Sequence, residues 1–147
     1  MSGTQQNFDP NSLDMTRPLP ETQPWSLSFW EGARQGKLLV QHCEDCGANI
    51  FYPRKFCPKC WSANLGWIEA SGKATVYTFS TAYDMVEPRF WADIPYTIAY
   101  VDLAEGVRMM TRIVECAPED IKIGMEVEVV FHKLDDQFRL PYFRPVR

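Results

Sequence analysis

The tightest constraint on this chain is the placement of four of its five cysteines in two Cys-x-x-Cys pairs, Cys43/Cys46 and Cys57/Cys60, with ten residues between them. A Cys-x-x-Cys turn presents two thiolates on one side of a tight loop, at the separation a tetrahedral ion requires, and two such knuckles complete a four-sulfur shell. Gly47, directly after Cys46, suits a backbone that turns under a metal at positive φ, and Pro58 stiffens the second loop. Competing readings carry less weight. A redox Cys-x-x-Cys comes as a single pair beside a βαβ pattern, and a disulfide framework belongs to exported chains. A rubredoxin-type iron site uses similar knuckles, but the short link and the lack of a glycine after Cys60 favour a zinc ribbon. Four thiolates leave no position for water, so the expected zinc builds structure rather than performing chemistry.

At 147 residues the chain can hold one ordinary domain, or a small one with an appendage. A hydrophobic content of 46% with 14% aromatic residues supports a packed core. The net charge of −4 argues against a nucleic-acid binder that relies on overall charge, though not against a local basic patch. No apolar run approaches the roughly 20 residues needed to span a bilayer. The polar N-terminus lacks the basic-then-apolar layout of a signal peptide. With reduced cysteines, these features make a cytoplasmic protein the expectation.

Residues 1–23, with Pro10, Pro18 and Pro20 among polar side chains, read as an extended arm. Residues 24–64 read as a helix plus the zinc ribbon. Pro24 suits a first helical turn and Gly36 a C-terminal cap. Trp25, Phe29 and Ala33 share one face by i, i+4 spacing, and Leu27 with Trp30 widens it. That much aromatic surface on a short helix must dock, either on the chain's own ribbon and barrel or as a wall for a partner. Lys37–His42 is predicted to lead as a strand into the first knuckle, with His42 outside the metal shell because four thiolates already fill it. Asn49–Arg54 is predicted to be the returning strand, after which Arg54, Lys55 and Lys59 form a basic patch on an acidic protein.

Residues 65–147 read as all-β. Gly66–Gly72 is a short strand ending in a turn, and Lys73–Thr81 alternates with period two. Tyr96–Leu103 and Val107–Val114 flank the hairpin turn Ala104–Gly106, while Met125–Phe131 and Phe138–Phe143 supply the last strands. Between them lies a long loop, Asp84–Pro95, carrying Arg89, Phe90 and Trp91; an aromatic loop of this length either folds over the core or serves a function. Five or six strands with short turns predict a small closed barrel of the OB type. The fold expected overall is mainly β: an N-terminal helix, a rubredoxin-like four-cysteine zinc ribbon, then a C-terminal OB-fold barrel.

The order of these pieces resembles a known family. An aromatic helix with Phe29-Trp30 precedes a Gly-Lys-Leu strand, Cys-x-x-Cys-Gly and Cys-Pro-x-Cys. Then come Gly72-Lys73-Ala74-Thr75-Val76-Tyr77, Glu105-Gly106-Val107 and Ile123-Gly124-Met125-Glu126-Val127. This series is similar to the zinc-ribbon and OB-fold proteins associated with acyl-CoA enzymes, and the resemblance runs over roughly 19–144. It implies a small non-catalytic subunit in a hetero-oligomer. The partner it implies first is a thiolase-like chain that makes or cleaves a carbon–carbon bond with coenzyme A. Hydratases, aldolases and synthases resembling hydroxymethylglutaryl-CoA synthase are the alternatives. The resemblance also implies that the arm and the loop at Arg89, Phe90 and Trp91 hold the partner; Trp25, Phe29 and Trp30 are candidates for the same role from the helix's aromatic surface alone.

A thiolase needs a nucleophilic cysteine, a base and an oxyanion hole. This chain offers one cysteine outside the pairs, Cys116, and two histidines, His42 and His132. Cys116 follows an apolar strand and reads as a packing residue, so no catalytic residue is assigned and the chemistry is expected in another chain. The subunit's own contribution would be to a CoA thioester: Arg54, Lys55 and Lys59 suit its phosphates, and Phe51, Tyr52 or Trp61 its adenine. A basic face balancing the charge of a metal with four thiolates explains the same cations without a ligand. Zinc ribbons and OB-folds also bind nucleic acid, but Glu69, Asp102, Glu105, Glu126 and Glu128 dilute the cations on the barrel strands.

Overall fold

A computed structural model describes residues 17–147. Most of the arm expected over 1–23 therefore lies outside the described residues. A 3-10 turn, Pro24–Ser26, leads into helix α1, Leu27–Arg34. The turn is closed by Ser26, whose Oγ donates to the Gln23 carbonyl and accepts from the Gln23 N–H, both at 3.0 Å. Phe29, Gly32 and Ala33 form the buried face of α1. Leu27 and Trp25 do not extend it: they are 54% and 40% exposed. Leu27 stands two positions from Phe29 and so points away from it, and Trp25 sits on the 3-10 turn, whose three-residue period breaks the i, i+4 phase.

Two β-systems follow. The ribbon sheet has the order β2-β1-β3, with β1 (Leu39–Cys43) central between β2 (Asn49–Ile50) and β3 (Leu65–Glu69). The returning strand expected over Asn49–Arg54 shrinks to two residues, because the chain leaves the sheet at Phe51 to form the loop before the second knuckle. Leu65–Glu69 pairs with β1 along its whole length, from Leu39↔Glu69 to Cys43↔Leu65. The strand at the start of the expected barrel segment therefore hydrogen-bonds to the ribbon.

The closed barrel has the order β4-β5-β6-β8-β7, formed by β4 (Lys73–Ala82), β5 (Tyr96–Leu103), β6 (Arg108–Ile113), β7 (Glu126–Lys133) and β8 (Arg139–Pro145). It is closed by pairing of β4 with β7 over Lys73–Thr75. Inward side chains alternate as period-two sequence requires, and Val76, Val101, Val127 and Phe143 are fully buried. The β6–β8 contact is a single parallel pair, Ile113↔Phe143, where the other seams are antiparallel ladders. The long loop folds as a 3-10 turn, Pro88–Asp93.

Ribbon, helix and barrel share one core. Phe29, Leu38 and Val40 belong to the same buried cluster as Val101, Met109 and Phe143. Phe29 makes edge contacts with Phe51 at 5.7 Å and with Trp30 at 5.0 Å, and Trp30 in turn meets Phe138 at 5.5 Å. Gly32 admits β1 close to the helix: a Cβ there would lie 2.7 Å from the Leu39 side chain. Polar ties cross the same junction. Asn49 Nδ2 donates to the Glu105 carbonyl at 2.9 Å, and the Met110 N–H donates to the Tyr52 hydroxyl at 3.0 Å. Phe29 belongs to the core that the parts share and touches Phe51 of the ribbon, so Phe29→Ala is expected to cost about 3–5 kcal/mol, the range for a buried aromatic truncated in a core. Denaturant unfolding measures it; a loss below about 1 kcal/mol would show that the ribbon and barrel do not rely on this contact.

Candidate metal centre and its flanking loop

Cys43 ends β1, and the other three sulfurs are brought to it by two turns of the same design. All four Sγ atoms lie within 4.8 Å of one another, with Cys43–Cys60 and Cys46–Cys57 at 3.6 Å. A tetrahedral zinc with bonds of about 2.3 Å separates its sulfurs by about 3.8 Å, so the cage has the right size. In the first knuckle Gly47 N donates to Cys43 O and Cys43 N to Ala48 O, both at 2.9 Å. In the second, Trp61 N donates to Cys57 O and Cys57 N to Ser62 O, again at 2.9 Å. Backbone N–H groups also reach sulfur: Cys46 N to Cys43 Sγ at 3.5 Å and Lys59 N to Cys57 Sγ at 3.4 Å.

The two turns require the same left-handed backbone after the second cysteine, φ +75° at Gly47 and φ +64° at Trp61. Glycine adopts it freely; for a residue with a Cβ it costs about 1–2 kcal/mol. The sequence marked Gly47 for this conformation but carried no sign that Trp61 shares it.

The electrostatics of the four sulfurs call for a cation. Burial opposes ionisation of Cys57, but the N–H groups of Cys60 and Lys59 and the adjacent thiols outweigh it and bring this thiol to about 7. At Cys60 an N–H from Ser62 favours the thiolate, yet burial and the three neighbouring thiols push it up to about 12. Four thiolates this close cannot coexist without a positive charge among them. The donor set fits zinc, with Cys43, Cys46, Cys57 and Cys60 as the ligands of a closed shell. His42 is not part of it: its Nδ1 lies 2.7 Å from Asn49 Oδ1, across the β1–β2 pair.

The loop between the knuckles is held firmly. Gln41, 3% exposed, grips the backbone of Arg54 from both sides: Nε2 donates to the Arg54 carbonyl and Oε1 accepts from its N–H, each at 2.8 Å. Asp45 ties the two knuckles together, accepting from the Ser62 hydroxyl and from Asn64 Nδ2. Arg54, Lys55 and Lys59 all point to solvent beside the cage, Lys55 Nζ lying 5.6 Å from the Phe56 ring centre. Phe51 is placed differently. It packs on Phe29 and on Tyr52 and lines an apolar groove of about 490 Å³ between α1 and the barrel, with Trp25, Trp30, Met110 and Leu140.

The other residues singled out from sequence are dispersed. Phe29 is core, Trp30 is half-buried against Phe138, and Trp25 is exposed. Arg89 pairs with Glu87 at 2.7 Å, Trp91 donates Nε1–H to the Val86 carbonyl at 3.0 Å, and the Phe90 ring centre lies 5.8 Å from the Arg17 guanidinium and 5.6 Å from that of Arg112. Those arginines both bind Asp93. Burial works against the Asp93 carboxylate, but hydrogen bonds from Arg112 and Arg17 outweigh it and hold its pKa below the ordinary range. The bridge is therefore present at neutral pH and lost only as acid protonates Asp93. No periodicity marks such a long-range cluster, and the sequence reading missed it. Cys116 lines a neighbouring cavity of about 780 Å³. Burial, then Asp120 and Glu119, push its thiol up, and it donates only to the Ala117 carbonyl at 3.5 Å. His132 stacks on Tyr142 instead of approaching it.

Purified protein is expected to carry one zinc per chain. Stripping it with a strong chelator, or Cys57→Ser, is expected to unfold the ribbon, because binding energy of this kind is folding energy. Elemental analysis with circular dichroism and thermal unfolding before and after chelation reads both; a metal-free chain with an unchanged transition would rule out the structural role.

Known proteins align with this chain across both parts. Residues 30–66 match the family described as "ChsH2, rubredoxin-like zinc ribbon domain" and residues 67–132 match "ChsH2, C-terminal OB-fold domain". A "DUF35 domain-containing scaffold protein" of Methanocaldococcus jannaschii is 42% identical over 101 residues, covering 67% of this chain and 70% of the relative. A "Probable enoyl-CoA hydratase alpha subunit" of Thermomonospora curvata is 36% identical over 129 residues, 88% of this chain; the chain spans only 40% of that relative's length. A "Benzoylsuccinyl-CoA thiolase subunit BbsA" of Thauera aromatica is 29% identical over 99 residues, 67% of this chain and 66% of the relative. Among solved structures, "Ltp2-ChsH2(DUF35) aldolase" superposes with a TM-score of 0.79 at 35% identity, over 86% of this chain and 98% of that one. With two sequence matches that together run from the aromatic helix to the seventh strand, and with the cage and barrel both in place, the chain belongs to the DUF35 family of ChsH2-type zinc-ribbon and OB-fold proteins.

Proposed function

We propose that this chain is a non-catalytic scaffold subunit of an enzyme complex that acts on CoA thioesters, with the reacting groups supplied by a partner chain. The observation that carries the reading is the near-complete superposition on the DUF35 chain of an aldolase, which is matched over 98% of its length. We place the partner among chains that make or break a carbon–carbon bond, thiolase or aldolase. The Thauera thiolase subunit and the solved aldolase support that choice by their names. A hydratase partner is the second reading, favoured by the Thermomonospora relative.

The chemistry of the chain is consistent with a supporting role. Among the described residues no hydrogen bond joins Cys116 to a histidine, and its thiol is shifted away from the thiolate a nucleophile needs. The metal cage is closed. What remains is a cationic loop of fixed backbone, on which Arg54, Lys55 and Lys59 are free to meet the pyrophosphate and ribose phosphate of coenzyme A. Phe51, packed on Phe29, would serve as a wall of the apolar groove rather than as a free platform for adenine.

The test is to express the chain in its native cell with an affinity tag, recover the complex and assay it for CoA-dependent carbon–carbon cleavage, aldol cleavage and enoyl-CoA hydration. A catalytic chain with one of these activities is expected to co-purify. Cys116→Ala is expected to leave turnover of the complex unchanged. Arg54→Ala or Lys55→Ala is expected to raise KM for the thioester by the equivalent of about 1–3 kcal/mol, the scale of a charged hydrogen bond. Loss of turnover in a folded Cys116→Ala complex would move chemistry into this chain, and an unchanged KM would remove the CoA contact.

A further inference from the structure

We propose that Trp61 and the basic loop around it form the surface that docks on an acidic, pocketed face of the catalytic partner. The inference rests on the scaffold reading above and takes the basic loop as a protein-docking surface in place of the thioester contact offered there; a rise in thioester KM without loss of partner affinity decides for the latter.

The argument starts from the pseudo-symmetry of the knuckles. Both turns have the same hydrogen-bond wiring and the same left-handed residue after the second cysteine, Gly47 in one and Trp61 in the other. Glycine would satisfy the second turn as well as it does the first. The fold draws no visible benefit from the indole in exchange for the strain: Trp61 is 79% exposed, the most exposed aromatic side chain among the described residues. Of the other two non-glycine residues at positive φ, Glu115 has its carboxylate bound by Arg144 and Arg147, and Met85, 98% exposed, stands in the Asp84–Pro95 loop outside the cationic stretch, so the indole is singled out by its surroundings as well as by its backbone. A strained backbone that presents a large apolar side chain to water is explained when something outside the chain receives that side chain.

The surroundings say what kind of surface would receive it. Phe56, 45% exposed, stands on the same loop. Six of the 15 lysine and arginine side chains make no ion pair among the described residues, and three of the six, Arg54, Lys55 and Lys59, fall in one six-residue stretch. On a chain of net charge −4 this is a local positive field around two exposed aromatics. The complementary surface is acidic with an apolar hole. The loop is also prepared for docking. The Gln41 clamp, the Asp45 bridge and the cysteine cage hold its backbone before any partner arrives, which lowers the ordering cost of association. An exposed tryptophan with an arginine on the neighbouring loop combines residue types enriched at interface hot spots, and the loop's cations would steer encounter in a salt-dependent way.

The experiment uses the catalytic chain recovered in the preceding test, separated and rebound to the full-length scaffold. Trp61→Gly suits the turn by its backbone freedom, and Trp61→Asn, also tolerant of that conformation, guards against an effect peculiar to glycine. Both variants are expected to keep their zinc and an equal or higher Tm, while affinity for the catalytic chain falls at least tenfold. Lys55→Glu with Lys59→Glu is expected to slow association and flatten its dependence on salt. Affinity within twofold of wild type in both Trp61 variants overturns the docking face and leaves the scaffold reading standing. Failure of the wild-type chain to bring down any acyl-CoA enzyme overturns both. A Trp61 variant that raises KM for the thioester at saturating scaffold, or that loses binding to a single-stranded oligonucleotide, with partner affinity unchanged, also overturns it.

Discussion

Four sulfurs held within 4.8 Å of one another are the constraint on which the ribbon depends. Without a cation among them the neighbouring thiols oppose one another's ionisation, as at Cys46 and Cys60; a divalent cation would join all four as one unit. The ribbon has little else of its own. Its separate buried cluster consists of Cys43, Ala48, Ile50 and Cys57, and one of its three strands has only two residues. A segment this small cannot bury enough apolar surface to order itself. It takes order from two sources, the metal at one end and the barrel core at the other, where Leu38 and Val40 of the ribbon join Val101 and Phe143.

That arrangement separates two kinds of surface. The metal end keeps its backbone fixed and its side chains in water, so Arg54, Lys55, Lys59 and Trp61 are presented rather than packed. The barrel end does the reverse: Phe29 and Phe51 are drawn inward and only the rim of the groove between α1 and the barrel stays open. Among the described residues, the side chains presented at the metal end are therefore mainly cations and aromatics, held on a backbone that the cage and the Gln41 clamp fix in place.

Much of this was legible in the residues. The knuckle spacing named the four ligands, and period-two alternation with β-branched residues located β5 to the residue and β4 to within one. Local signals could not say which sheet Leu65–Glu69 would join, since a strand's alternation is the same whichever neighbour it pairs with. The exposure of Trp25 depended on a 3-10 turn ahead of the helix, which takes that residue out of the phase of the helical face. Least legible were contacts between residues far apart in the chain, such as Asp93 with Arg17 and Arg112 or Asn49 with Glu105. Trp61 was visible only as an aromatic; its backbone conformation came from the equivalence of two turns whose sequences differ at that position.

The seam between β6 and β8 has a consequence for how the chain behaves as a polypeptide. With one backbone pair between them, Ile113↔Phe143, most of that side of β6 lacks a ladder, and side chains fill in. Thr111 Oγ1 donates to the Pro141 carbonyl at 2.9 Å, and the Met110 N–H is taken by Tyr52, a ribbon residue 58 positions earlier. An uncovered strand edge invites the edge of another molecule. The Tyr52 hydroxyl thus covers one β6 amide that the barrel's own ladder leaves open. A barrel cut free at the boundary between the two family domains would leave that amide without its partner, so the ribbon completes the barrel's hydrogen bonding although the two folds have separate names.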